Sequence, residues 1–164
     1  MNKQRAINWV IFIVVAAVLV ALDLWLKYWA NANLQSTPTR DVIPRLLGLT
    51  YTRNTGAAFG LLSGFEWGRW VLVAVKVVLM CGLLFYFNRL PEKRKYWWLR
   101  VPIILVFAGG IGNLYDRIRF GYVRDMLMFL FVDFPIFNLA DVFVVCGVFV
   151  GGFLLFFVFY KELV

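Results

Sequence analysis

Asp125 and Asp141 are the residues of this chain best placed to do chemistry. They lie near the ends of two apolar spans, in the segments GGIGNLYDRIRFGYVRD (109–125) and FPIFNLAD (134–141). A carboxylate beside a bilayer is costly to keep charged and marks a functional site. Two that meet can share one proton, so that one serves as acid while the other serves as base. The remaining composition narrows the chemistry. The chain has no histidine, its serines Ser36 and Ser63 lie far from both segments, and Cys81 and Cys146 fall mid-span among aliphatic and aromatic residues. A His-dependent triad, a His-ligated metal and a thiol nucleophile therefore lose their support, and neither metal nor cofactor is expected.

Other polar residues gather at the same level. In the fourth span Asn138 and Asp141 are three residues apart and share a helix face. At ~1.5 Å rise per residue, Asp141 lies about one turn inside the outer end. In the third span Asn113, Asp116 and Arg117 fall at i, i+3 and i+4, and Gly109 and Gly112 beside them allow another helix to approach closely. Asp23 and Lys27 form an i, i+4 pair in the first span. Asp23 with Lys27 reads first as a buried ion pair that ties helices together, and Asp116 beside Arg117 as structural support. Asp141 has no adjacent cation and needs a partner, for which Asp125, Asn138 and Arg117 are available. Lys76 is expected to snorkel toward the surface, Asp133 to be a solvated loop residue, and Gly147 with Gly151 to pack helices.

The elements that must position these groups follow from composition. A chain of 164 residues that is 63% hydrophobic, with mean hydropathy +0.80, belongs in a membrane. Four stretches are long and apolar enough to cross it as helices: Trp9–Leu26, Trp70–Phe87, Val101–Ile118 with Pro102 in its first turn, and Phe137–Tyr160. They form one polytopic domain over residues 1–164. Lys3, Arg5 and the apolar run after them resemble a secretory signal. The run is too long, however, and Asp23, Lys27 and Trp29 interrupt the approach to Ala30-Asn31-Ala32, so an uncleaved first span is expected. Arg89, Lys93, Arg94, Lys95 and Arg100 crowd one short loop, which places that loop and both termini in the cytoplasm. The net charge of +8 is consistent with anionic headgroups and calls for no nucleic acid. Two mid-span cysteines do not make a disulfide framework.

The connection from about Tyr28 to Arg69 is too long to be a mere link. Leu49–Arg53 alternates like a strand. Asn54-Thr55-Gly56 reads as a turn in which glycine can take a positive φ. Ala57–Leu62, with Trp67 and Trp70 nearby, suits a short helix lying flat at the headgroups. The second outer connection, about Arg119 to Ile136, carries an apolar run from Met126 to Val132. The expected fold is thus integral membrane and mainly α: four transmembrane helices, a small extracytoplasmic β platform able to seat an extended peptide, and a short interfacial helix.

The pair Asp23/Lys27 and the blocks TRNTGAAFG (52–60), GGIGNLYDRI (109–118), GYVRD (121–125) and FNLAD (137–141) run nearly end to end. In this order and spacing the chain resembles the lipoprotein signal peptidases (signal peptidase II), bacterial aspartic peptidases of the membrane. The resemblance implies removal of the signal peptide from diacylglyceryl-modified prolipoproteins, on the amino side of the modified cysteine. It implies a multi-pass enzyme of the bacterial cytoplasmic membrane, with its site near the extracytoplasmic face, and a monomer is expected. On this resemblance Asp125 and Asp141 are the catalytic pair, and Asn54, Gly56, Asn113, Arg117 and Asn138 line or support the site. Asp23 and Asp116 fall on supporting positions. Arg124 departs from the family pattern, in which an aliphatic residue often precedes the first aspartate; a cation there is expected to lower the pKa of Asp125. A proton-coupled carrier is the rival reading, but no internal repeat is evident and the polar groups lie away from the midplane. A lipid-modifying transferase would need a stronger base or a metal.

Overall fold

The computed structural model describes residues 2–56 and 67–160. Its elements are α1 (Lys3–Asn33), β1 (Arg40–Ile43), β2 (Leu47–Asn54), α2 (Gly68–Arg89), α3 (Trp97–Phe120), β3 (Val123–Phe129) and α4 (Leu139–Phe153). A 3₁₀ turn at Arg94–Tyr96 leads into α3, and a π turn at Leu154–Val158 prolongs α4. All four helices are long and apolar enough to cross a membrane. A bilayer offers the backbone no water, so each span must satisfy its own N–H and C=O groups, which a helix does.

The helices overrun the spans read from the sequence. α1 continues to Asn33, so Asp23 and Lys27 lie inside one unbroken helix. Pro102 is not in the first turn of its helix, because α3 already begins at Trp97. The helix tolerates the missing N–H, and Gly147 of α4 packs directly against the Pro102 carbonyl.

α3 is the central helix, with more than half of its span buried. Leu99, Ile103, Ile104 and Ala108 meet Phe12 and Ala16 of α1 and Phe87 of α2 in the main apolar core. The other helices turn large apolar side chains outward: Val78 is 70% and Phe149 75% exposed. Such a surface is stable only against lipid. At the end of the bundle away from the aspartates, buried Arg100 donates to the carbonyls of Leu90 and Pro91 and to Glu92, pinning the α2–α3 connection.

Close approach of α4 to α3 depends on glycine. A Cβ on Gly109 would strike the Ala140 carbonyl, and one on Gly112 would strike the Asp23 carboxylate. Gly147 stands over Val106 and Pro102, and Gly151 over Pro102, so this pair packs helices as expected.

The three strands form one antiparallel sheet in the order β1-β2-β3. The alternating segment Leu49–Arg53 lies within its central strand. β3 pairs with β2 through Thr52↔Asp125 and Asn54↔Val123, with an irregularity between Leu49 and Thr52. The sheet rests on the C-terminal end of α1, where Ala30 and Leu34 bury Met126 of β3. Among the described glycines the positive φ falls on Gly121, which caps α3 at φ 85°, and not on Gly56. The flat helix expected at Ala57–Leu62 lies outside the described residues. Trp67 and Trp70 are exposed at the start of α2, as interfacial tryptophans would be.

Gly109→Ala and Gly112→Ala should each destabilise the protein by about 1–3 kcal/mol through overpacking. Gly82→Ala and Gly152→Ala, whose new methyl groups meet nothing, should leave the Tm in detergent unchanged.

Candidate active site

The site begins at the N-terminus of α4. Asn138 is the N-cap, with extended backbone (φ −132°, ψ 178°), and it forms a capping box with Asp141. The Asn138 side-chain oxygen accepts from the Asp141 N–H at 3.0 Å, and the Asp141 carboxylate accepts from the Asn138 N–H at 3.1 Å. The two residues are therefore joined by a reciprocal cap rather than by a shared helix face. The cap also sets Asp141 in the first turn, where the helix dipole favours a negative charge.

Asp125 arrives from the sheet. Because β2 and β3 are antiparallel, Asn54 at the end of β2 comes beside it and donates to its Oδ2 at 3.0 Å. The Asn138 side-chain amide donates to Asp125 Oδ1 at 2.5 Å and to Asn113 Oδ1 at 3.0 Å. The Asn113 amide donates in turn to Asp141 Oδ1 at 2.7 Å. Two asparagines from different elements thus hold both carboxylates in one network.

Behind them lies a buried layer of charge. Lys27 donates to Asn113 Oδ1 at 2.8 Å and pairs with Asp23 at 2.8 Å and Asp116 at 3.7 Å. The other oxygen of Asp23 accepts from the Ala140 N–H at 2.9 Å, which ties α1 to the start of α4. Asp116 accepts from the Arg124 guanidinium at 2.7 and 3.1 Å and from the Arg124 backbone N–H at 3.0 Å. Asp116 therefore pairs with Arg124 and Lys27, not with its neighbour Arg117. Successive helix residues point about 100° apart, so adjacency in sequence does not make a pair. Arg117 instead donates to the Gly56 carbonyl at 2.7 Å, while the Gly56 N–H donates to Asn54 Oδ1 at 3.1 Å. This pins the turn that presents Asn54.

Asp125 is 1% exposed. Burial first, and the negative charge of Asp141 second, raise its pKa to about 6, against the pull of the two asparagine amides. The expectation that Arg124 would lower it fails, because that guanidinium is engaged by Asp116.

Both carboxylates line a cavity of about 540 Å³, together with Asn54 and Arg117. Its walls are apolar: Leu72 of α2, Phe129, Phe134 and Ile136 of the β3–α4 segment, and Val142 and Val145 of α4. A few convergent polar groups in an apolar cleft make a ligand site. Lys76 lines it too, where snorkelling was expected. The signal for it was in the sequence, as an ionisable residue well inside a span. Asp133 is exposed in its loop, as expected. Among the described residues no group of three or more His, Cys, Asp or Glu side chains could hold a metal ion. Chemically, a buried carboxylate with a raised pKa beside a second one can hold a proton while its partner accepts another.

A family model for signal peptidase (SPase) II matches residues 15–159. The chain belongs to the signal peptidase II family. It is 42% identical over 139 residues to the lipoprotein signal peptidase of Enterococcus faecalis, covering 85% of this chain and 83% of the relative. It is 39% identical over 130 residues to that of Streptococcus thermophilus, covering 79% and 82%. A solved structure of a bacterial membrane enzyme superposes with a TM-score of 0.75 at 32% identity, covering 85% of this chain and 83% of the other. A second superposes at 0.74, also at 32% identity, covering 85% and 88%. As a signal peptidase II, the protein is a membrane-embedded hydrolase of the aspartic type.

Infrared titration of the carboxylic C=O stretch should show a group with a midpoint near 6 that disappears in Asp125→Asn. In Asp141→Asn the midpoint should fall, because a neighbouring negative charge that favours the protonated form is gone. Arg124→Leu should leave the midpoint in place yet cost about 3 kcal/mol of stability, since it strips a partner from buried Asp116.

Proposed function

We propose that this protein removes the signal peptide from diacylglyceryl-modified prolipoproteins, cutting on the amino side of the lipid-modified cysteine, with Asp125 and Asp141 as its catalytic pair. The observation that carries the reading is the bridge of Asn138 and Asn113 between two carboxylates facing one apolar cavity. The relatives named lipoprotein signal peptidases support the substrate class.

In this reading Asp125, with its raised pKa, carries the proton of the pair, and Asp141, which lines the same cavity, acts as the base. Asp141 takes a proton from water as the water attacks the scissile carbonyl. Asp125 donates its proton to the carbonyl oxygen, giving a neutral tetrahedral diol. As the C–N bond breaks, Asp141 passes its proton to the departing cysteine nitrogen, and the re-forming carboxyl returns a proton to Asp125. Asn54 and Asn138 hold the Asp125 carboxyl, and Asn113 orients Asp141. Arg117 and Gly56 fix the turn bearing Asn54, while Asp23 and Asp116 support the frame. The substrate's acyl chains lie along the apolar wall of Leu72, Val142 and Val145, in contact with the bilayer. No metal or cofactor enters these steps.

The protein acts as one domain over residues 1–164 and as a monomer in the bacterial cytoplasmic membrane, since one chain supplies every group named. Both termini are cytoplasmic and the carboxylates lie near the extracytoplasmic face, in keeping with the basic α2–α3 loop.

Purified protein in detergent should cleave a diacylglyceryl-modified prolipoprotein and ignore chelators. Asp125→Asn and Asp141→Asn, each with wild-type Tm, should lower kcat by roughly a thousandfold. Wild-type turnover that survives either substitution would reject the pair. Failure of the wild type, with a family member active in the same assay, would reject the substrate.

A further inference from the structure

Lys76 has no task in the reaction above. It lies roughly 12 Å along α2 from Gly68, at ~1.5 Å per residue, well inside the apolar span. It is half-buried and lines the cavity that holds Asp125 and Asp141. The other cations of the site are engaged: Lys27 by Asp23 and Asn113, Arg124 by Asp116, and Arg117 by the Gly56 carbonyl. Among the described residues no carboxylate lies within ion-pair distance of the Lys76 ammonium, and no acceptor within hydrogen-bond distance. An ammonium offers three donors and no acceptor, so in the cavity it can serve an acceptor oxygen brought by a ligand. A charged group kept in a membrane span and turned into a cavity marks a substrate path.

Depth narrows the choice of oxygen. Asp141 stands in the first turn of α4, whereas Lys76 stands in the third turn of α2, among side chains such as Leu72 that would face acyl chains. Between the scissile amide and those chains a diacylglyceryl cysteine carries two ester carbonyls. We propose that Lys76 is a specificity-determining residue whose ammonium donates to an ester carbonyl oxygen of the diacylglyceryl group. The assignment rests on the prolipoprotein reading. A backbone carbonyl of the signal peptide offers the same acceptor chemistry, and an ether-linked substrate separates the two.

The test compares wild type, Lys76→Met and Lys76→Arg, matched for Tm, on a prolipoprotein bearing an ester-linked diacylglyceryl group and on its ether-linked dialkylglyceryl analogue. Wild type should cleave both, with a KM for the ether roughly tenfold or more higher, as for loss of a charge-assisted hydrogen bond. Lys76→Met should raise KM for the ester by a similar factor and erase the ester–ether difference. Its kcat should be unchanged. Lys76→Arg should restore much of the difference. An ester–ether difference that persists in Lys76→Met, or that is absent in wild type, overturns the assignment. A shifted pH–rate profile at unchanged KM overturns it as well, because Lys76 would then act on the aspartates. Wild type cleaving neither substrate removes the prolipoprotein reading and this assignment together. Normal cleavage by Lys76→Met removes this assignment alone.

Discussion

The geometry of the site hangs from one buried ammonium. Lys27 is fully enclosed, and its charge is met by Asp23, Asp116 and the Asn113 oxygen. Those groups reach onward to the start of α4 and to β3. Asp23 holds the Ala140 N–H at the start of α4, Asp116 holds Arg124 on β3, and Asn113 holds both Asn138 and Asp141. Removing the ammonium would leave Asp23 buried without a cation and Asp116 with Arg124 alone, and breaking a buried pair costs far more than the pair contributes when intact. The network therefore specifies one arrangement of three helices and a strand.

That arrangement gives two carboxylates unlike surroundings. Asp125 comes from a strand, buried beside the cavity and held by two amides, and its pKa is raised by burial and by the charge beside it. Asp141 comes from a helix N-terminus, where it accepts from the Asn138 N–H and the Asn113 amide, and it lines the same cavity. Unequal environments divide a pair of like groups into an acid and a base. The sheet is thus part of the site, because a helix bundle alone would offer no second element to bring Asp125 against the cap of α4.

Placing such a network among apolar helices requires close backbone approach. Gly109 and Gly112 on one face of α3 let the first turn of α4 and the Asp23 carboxylate come in, and Gly147 and Gly151 continue the contact toward the far end. In lipid, where apolar side chains gain little by meeting one another, small residues and interhelical polar contacts hold helices together. The glycine stripe and the Lys27 network act on the same interface for that reason.

Much of this was legible in the chain itself. Four apolar runs gave the spans, since a bilayer admits few other solutions, and i, i+3 and i+4 spacings put Asn113, Asp116 and Arg117 on one stretch of helix with the glycines beside them. Asp23 with Lys27 read correctly as a local ion pair. Partners across elements were less accessible. Asp116 was set beside Arg117 but meets Arg124, because the fold of β3 back over α3 decides that contact. Asn138 was read as helical but is a cap, since the helix begins one residue later. Lys76 was assigned to the surface because its span alone does not reveal a cavity between α2 and α4. Sequence periodicity records which residues share an element and a face, as that depends on local backbone geometry. How the two carboxylates come to face one cavity, and which cations line it with them, depend on strand register and helix approach, and only the tertiary structure decided them.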